Sequence, residues 1–130
     1  MLRPMSTSTD LRALAATVMR DGDTNLEAFF GHFAGDCRFV WGNEDPVQGL
    51  EATQALVGRM LAGVSGLRHD VLEQLVSDDS VALRMDVIYT IPDGGELQTP
   101  AVTYMRFRDD RICEYQIYQD PTPLARAAGR

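Results

Sequence analysis

Apolar residues recur every three or four positions through much of the first half of the chain, which is the spacing of amphipathic helices. A first helix is predicted over residues 9–20, after the cap-like cluster at residues 6–9. A second is predicted to open at the capping box Thr24-Asn-Leu-Glu27, with Gly22 separating the two. A third is predicted from about Leu50 to Ala62.

Beyond Gly66 apolar and polar residues alternate with a period of two, which is typical of strands. One earlier strand, at residues 37–41, is predicted between the second and third helices. The later strands are predicted over residues 68–76, 81–91, 96–108 and 111–120. Three N-terminal helices and a strand meander predict one α+β domain over residues 1–130, with the helices packed on a curved, mainly antiparallel sheet. We expect residues 1–8 and 125–130 to be flexible.

Arg84 and Asp86 lie two positions apart in the apolar run of residues 81–90, so a strand places both side chains on one face. Burying an arginine beside a carboxylate costs several kcal/mol unless the hydrogen bonds are completed, so the two residues form a structural ion pair or a functional site. A two-residue turn at Asp93-Gly94 pairs position 84 with 103 and 86 with 101. That register groups Arg84 and Asp86 with Ile88, Thr99, Ala101, Thr103 and Met105; a slip of one residue regroups the two faces.

Both faces of this predicted hairpin need cover, because the opposite face is also apolar, with Leu83, Met85, Val87 and Tyr89. We expect the helices and the Arg84/Asp86 face to enclose a pocket. A second copy of the chain is the simplest cover for the other face, so a homodimer built back to back on the sheet is predicted.

Composition excludes several functions. The net charge of −7 and the pI near 4.6 disfavour nucleic acid and anionic membranes as partners. Lysine is absent from the sequence, which removes Schiff-base chemistry and the phosphate-loop lysine. His32 and His69 have no ligands at metal-binding spacing, so neither a metal nor a cofactor is expected. Cys37 and Cys113 are interpreted as reduced thiols of a cytoplasmic protein, and no apolar run reaches the length of a membrane span.

Four segments of the chain carry a resemblance to a known superfamily: residues 33–43, Gly49-Leu-Glu-Ala52, Leu67-Arg-His69 and residues 112–124. They resemble the nuclear-transport-factor-2-like superfamily, in particular its SnoaL-like polyketide cyclases, ketosteroid isomerase and limonene epoxide hydrolase. The resemblance implies a cone-shaped fold around an apolar pocket. The ketosteroid isomerase mechanism is not expected, because its base falls on Trp41 and its proton donors fall near Ala15 and on Thr103.

The other two enzymes imply different site residues. The arginine, acidic partner and water-positioning asparagine of limonene epoxide hydrolase match Arg84, Asp86 and Asn43, whereas its second aspartate falls on Ile117. The cyclases imply Asp120 as the base. Resemblance to the superfamily points Tyr115, Ile117 and Gln119 inward, whereas a strict two-residue turn at Asp109-Asp110 points Glu114, Gln116 and Tyr118 inward; the sequence leaves both open.

The sequence therefore predicts a cofactor-independent acid/base enzyme for a small hydrophobic, oxygen-bearing substrate, acting by epoxide hydrolysis, isomerisation or polyketide-type cyclisation. Asp86 is expected to transfer the proton and Arg84 to orient it, with Asn43 positioning a water or oxygen. Asp120 or His69 is expected to be the second proton-transfer group. The predicted pocket wall comprises Trp41, Phe30, Met60, Ile88, Thr103, Met105, Tyr115, Ile117 and Gln119. The alternative is a non-catalytic ligand-binding or dimerisation module on the same scaffold.

Overall fold

The computed structural model of the protein describes residues 8–127, and within that range it has four helices and six strands. The helices are α1 Ser8–Thr24, α2 Leu26–Phe30, α3 Leu50–Leu61 and α4 Thr122–Ala127. The strands are β1 Phe33–Trp41, β2 Val47–Gln48, β3 Gly66–Ser77, β4 Ser80–Thr90, β5 Glu96–Arg108 and β6 Arg111–Tyr118. Most of the two segments predicted to be flexible, and part of the predicted cap cluster, lie outside the described residues.

The strands form one sheet in the order β2-β1-β6-β5-β4-β3, in which β1 and β6 run parallel and the other neighbours antiparallel. The short elements β2 and α4 were not predicted from the pattern. Gly22 does not end a helix, because α1 continues through it to Thr24. Asn25 rather than Thr24 caps α2, and its side chain accepts a hydrogen bond from the Ala28 amide at 3.2 Å.

The predicted register of the β4–β5 hairpin is wrong by one residue. Arg84 pairs with Val102 and Asp86 with Pro100, because the hairpin closes through a three-residue loop rather than a two-residue turn. The Ile91 amide donates to the Gly95 carbonyl at 2.9 Å, and the Gly94 amide donates to the Ile91 carbonyl at 2.8 Å. Gly94 takes the left-handed conformation at φ 92°, which ends a type I turn with the extra residue of a bulge. The shift by one position exchanges the two faces of β4 relative to β5.

The β5–β6 hairpin has the two-residue turn of one alternative that the sequence left open, and the inward-facing residues of the other. Asp109 and Asp110 form a two-residue turn with φ of 53° and 63°, so Arg108 pairs with Arg111. A bulge then shifts the register between Arg106 and Phe107, where Cys113 is the extra residue on β6. Beyond the bulge Tyr115 and Ile117 face the interior, and the exposed Tyr118 faces outward.

The interior is formed by the concave side of the sheet and the helices packed on it. The β4 residues there are Leu83, Met85, Val87 and Tyr89, and β5 contributes Ala101, Thr103 and Met105. An aromatic cluster fills one end, where the rings of Phe39 and Tyr115 stack with centroids 5.0 Å apart. Met105, predicted to line a pocket, is fully buried core, and the half-buried Phe30 packs against Phe29 and Phe33.

Candidate functional site

Arg84 and Asp86 lie on the outward face of the sheet and do not pair with each other. The Arg84 Nε lies 3.3 Å from Glu73 Oε1, and these two side chains are 58% and 51% exposed. Asp86 is half-buried between its cross-strand neighbours Asp70 and Pro100. The predicted pocket with Arg84 and Asp86 inside it is therefore not formed, and the one-residue error in the hairpin register is the reason.

Three other predicted site residues either face away from the concave side of the sheet or lie outside the sheet. Ile88 points to the outward face with Arg84 and Asp86, although it is itself only 5% exposed. Asn43 is exposed in the turn after β1, beside an open groove that also contains Glu44, Asp45 and Arg59. Asp120 Oδ1 accepts a hydrogen bond from the Thr122 amide at 3.0 Å, so Asp120 caps the start of α4. That hydrogen bond lowers the pKa of Asp120.

The interior holds two small adjoining cavities between the sheet and the helices. One, of about 40 Å³, lies beside α4 and is called here the α4 chamber. The other, of about 50 Å³, lies beside α2 and is called the α2 chamber. The α4 chamber also has Trp41, Val87, Tyr89, Thr103, Gln119 and Leu124 in its wall, and the α2 chamber has Phe29, Phe39, Val57 and Tyr115. Both chambers are lined by Met60, Leu61, Leu67, His69 and Ile117, so His69 lies at their boundary.

His69 is held by an aspartate from the last turn of α1. Its Nδ1 lies 2.5 Å from Asp23 Oδ1, and its backbone amide donates to both Asp23 oxygens at 3.2 Å. The two side chains are only 14% and 20% exposed. A carboxylate can only accept hydrogen bonds, so Nδ1 carries the proton in this pair and Nε2 is the ring nitrogen left for a ligand. This Asp–His pair beside an apolar cavity can take up a proton, as such pairs do in enzymes.

The α4 chamber also contains a chain of hydrogen bonds that joins β4 and β5 to Gln119, the residue directly after β6. The Tyr89 hydroxyl donates to Gln119 Oε1 at 2.9 Å, and Gln119 Nε2 donates to the Thr99 hydroxyl. Burial raises the pKa of Tyr89, and the hydrogen bond with Gln119 opposes that effect only in part. The chain fixes the Gln119 amide with one N–H used, so its second N–H is available to an oxygen in the chamber.

The structure therefore brings together His69, Trp41, Met60, Thr103, Ile117 and Gln119 from the predicted set, with Tyr115 in the wall of the α2 chamber. Sequence reasoning missed Asp23, Tyr89 and Leu124. Asp23 is separated from His69 by 46 residues, and no local pattern links them. The predicted register of the β4–β5 hairpin turns Arg84 inward and Tyr89 outward. For that reason the sequence does not indicate Tyr89 as a site residue.

A larger hollow lies away from this site. An open groove of about 680 Å³ lies at the opposite end of the sheet and is lined mostly by charged residues. Its side chains pair with one another, as in Asp36–Arg108 at 2.5 Å and Arg106–Asp79 at 3.6 Å. The Arg108 guanidinium lowers the pKa of Asp36. Exposed ion pairs of this kind occupy solvated surfaces, so the groove offers little chemistry.

Residues 8–127 contain neither a cluster of metal-binding side chains nor a helix that could span a membrane. No cluster of three or more His, Cys, Asp or Glu side chains there could hold a metal ion. No helix among the same residues is long and apolar enough to cross a membrane.

Comparison with known proteins identifies the family. A protein from Jannaschia sp. CCS1, named for the SnoaL-like polyketide cyclases, superposes with a TM-score of 0.82 at 16% identity, covering 98% of this chain and 97% of the other. TerC, crystallised with polyporic acid, gives 0.79 at 12% identity over 92% and 98% of the two chains. A protein of ketosteroid isomerase-like fold from Catenulispora acidiphila DSM 44928, in complex with trimethylamine, gives 0.73 at 21% identity over 95% of each chain.

These likenesses confirm the fold, and a family model adds the classification. No curated protein is similar enough in sequence to count as a match. The model of the SnoaL-like domain matches residues 11–115, which is most of the chain. The chain belongs to the SnoaL-like domain family, within the nuclear-transport-factor-2-like superfamily.

Proposed function

We propose that this protein is a cofactor-independent acid/base enzyme that removes a proton from a carbon next to a carbonyl group of a small hydrophobic substrate. The observation that carries the proposal is the His69–Asp23 pair at the boundary of two apolar chambers. His69 Nε2 accepts the proton, while Asp23 orients the ring and stabilises the imidazolium that forms.

The oxygen of the resulting enolate needs hydrogen-bond donors. Two residues that carry such donors line the α4 chamber together with His69: Gln119, with its second N–H, and Trp41, with its indole N–H. Both chambers lack arginine and, apart from His69, any basic side chain, so they favour a neutral substrate over a carboxylate or phosphate.

The chambers must widen to admit a substrate, because organic ligands occupy cavities of several hundred Å³. An open groove of about 250 Å³ shares Gly22, Leu26, Leu61 and Leu67 with the α2 chamber and is the nearest route from solvent. Leu26 is exposed there, and Asp23 also lines the groove. We infer that substrate passes between these leucines to reach His69.

Among the three reactions that the sequence predicts, isomerisation and cyclisation fit this site better than epoxide hydrolysis. Both can begin with abstraction of a proton next to a carbonyl group, which needs one base. The epoxide hydrolase resemblance instead requires Arg84, Asp86 and Asn43 around one water inside a pocket. Arg84 and Asp86 lie on the outward face of β4, and Asn43 lies in the exposed turn after β1. The polyporic acid and trimethylamine bound to TerC and the Catenulispora protein support a small-molecule ligand here.

Exchange of substrate hydrogens in D₂O tests the proposal whatever product the enzyme forms. Enolisable cyclic ketones and aromatic diketones are incubated with the protein, and NMR follows deuterium entering the carbon next to the carbonyl. We expect His69→Asn to slow this exchange about 10³-fold and Asp23→Asn at least about tenfold. Asp86→Asn is the matched control and should keep the parent rate. An equal loss in Asp86→Asn, or full exchange in His69→Asn, would contradict the mechanism.

A non-catalytic binding module is the second candidate, favoured by the small size of the two chambers. In that case an apolar ligand binds with His69 as a hydrogen-bonding partner and no exchange occurs. Isothermal titration with the same ketones separates the two: binding with no deuterium uptake for any ligand supports the module.

We further propose that the protein is a homodimer formed through the outward face of the sheet. Tyr118 is 55% exposed on that face and Leu75 is 60% exposed. The same face carries Arg84 and Asp86, so the correction of the register moves both residues to the proposed contact surface.

A further inference from the structure

The structure contains a second Asp–His pair that does not line either chamber. His32 Nε2 lies 2.7 Å from Asp21 Oδ2, and the two side chains are 20% and 22% exposed. His32 and His69 are the two histidines of the chain, and their aspartates lie two residues apart in the last turn of α1. Successive helical residues are about 100° apart around the axis, so Asp21 and Asp23 point in roughly opposite directions.

The last turn of α1 is therefore held from two sides. Asp23 joins it to β3 through His69, and Asp21 joins it to the segment between α2 and β1 through His32. His32 is itself fixed, because its carbonyl accepts the Ile112 amide at 2.8 Å and its own amide donates to the Phe29 carbonyl at 3.1 Å. The hydrogen bond with His32 thus fixes Asp21 relative to the start of β6.

This turn needs such support because its own helical stability is low. Gly22 lies between the two aspartates, and glycine in a helix is about 1 kcal/mol less favourable than alanine. A larger residue is not simply accommodated, because a Cβ at Gly22 would lie 3.3 Å from the ring of Phe29. Asp23 is also the penultimate residue of α1, where helices fray.

We propose that Asp21 and His32 are positioning residues for the His69–Asp23 pair. Their hydrogen bond holds the last turn of α1 in place, so that Asp23 can form hydrogen bonds with both the imidazole and the backbone amide of His69. The role in catalysis rests on the proposed function, but the positioning itself does not.

The His69 amide provides a direct readout of this positioning. It lies on the edge strand β3 and donates to Asp23, so its hydrogen exchange reports whether Asp23 is in place. We expect His32→Leu and Asp21→Ala each to speed exchange of this amide about tenfold, with the double variant no faster than either. Amides of β4 should keep their exchange rates, which shows that the fold is intact.

Two further variants give the contrast. His32→Gln retains an N–H donor near the position of Nε2 and should restore most of the protection. Asp36→Asn removes an ion pair at the opposite end of the sheet and should leave the His69 amide unchanged. Unchanged exchange in His32→Leu, or exchange in His32→Gln as fast as in His32→Leu, would overturn the inference.

Activity separates this inference from the proposed function. Where deuterium uptake by substrate is found, His32→Leu should lower kcat with KM unchanged, because the base is misplaced while the apolar chambers are intact. If the His69 amide loses protection but no substrate is ever exchanged, positioning holds and the proposed function fails. If exchange of substrate is lost in His69→Asn while His32→Leu keeps full kcat and full amide protection, the positioning role fails alone.

Discussion

Two of the four tyrosines have their hydroxyls inside the protein, and this burial controls their ionisation. Tyr115 stacks on Phe39, and burial raises its pKa far above the ordinary tyrosine range, with a hydrogen bond to Thr103 only partly opposing the rise. Burial raises the pKa of Tyr89 in the same direction. Tyr118, by contrast, is exposed on the outward face of the sheet. The interior therefore keeps both phenols protonated where the unfolded chain would ionise them.

These shifts predict loss of stability in alkali. The unfolded chain releases the Tyr115 proton above pH 10 or so, whereas the folded protein retains it, so stability is fully present below that pH and falls above it. Each such tyrosine contributes a slope of up to about 1.4 kcal/mol per pH unit. Tyr115→Phe should make the decline above pH 10 shallower by about that amount, measured by urea unfolding at a series of pH values. Equal slopes for the parent protein and Tyr115→Phe would contradict the assignment.

At the scale of elements, two irregularities in the hairpins decide which side chains enter the site. The three-residue loop ending at Gly94 turns Arg84 outward and Tyr89 inward, and the bulge at Cys113 turns Tyr115 and Ile117 inward. Helix and strand positions were predictable because they follow from the spacing of apolar residues. The faces were not, because Asp93-Gly94 is compatible with turns of two or three residues and no residue type marks the bulge at Cys113.

Hydrogen-bonded pairs of side chains that are far apart in the sequence could not be predicted either. His69 was a candidate for proton transfer, but its partner Asp23 comes from a helix end whose position depends on how α1 packs along β3. Asp23 and Arg12 both bond to backbone groups of β3, namely the His69 amide and the Gln74 carbonyl at 3.0 Å. Helix α1 thus covers an edge strand that would otherwise offer free hydrogen-bonding groups, and it completes the Asp–His pair at the same time.

Helix α4 closes the α4 chamber through one side chain. Leu124 is 7% exposed and lines the chamber beside Trp41 and Gln119. Leu124→Ala should destabilise the protein by about 2–3 kcal/mol and enlarge the chamber, because the truncation leaves a cavity. Urea unfolding measures the first effect, and tighter binding of a small apolar ligand such as benzene measures the second. A Leu124→Ala variant as stable as the parent would show that α4 does not seal the chamber.

At the scale of the whole molecule, the two faces of the sheet have different surroundings. The concave face is covered by the helices, whereas the convex face presents Tyr118 and Leu75 together with charges of both signs, including Arg84, Glu73 and Asp86. A net charge of −7 would repel a second copy if it were spread evenly. Mixed charges on one face avoid that penalty, since a two-fold axis lets the acidic groups of one copy meet the arginines of the other.

The proposed dimer can be tested by a substitution on the outward face of the sheet. Stable homodimers bury at least about 1,200 Å² of surface in total, and central aromatic residues contribute much of the binding energy. Tyr118→Arg should therefore raise the dimer dissociation constant about 30-fold, measured by sedimentation velocity over a range of protein concentrations. Leu26→Arg changes another exposed apolar residue, the first of α2, which is not on the outward face of the sheet, and should leave the dissociation constant unchanged. A parent protein that sediments as a monomer at every concentration would contradict the proposed dimer. The charged and apolar side chains of the outward face would then be in contact with solvent.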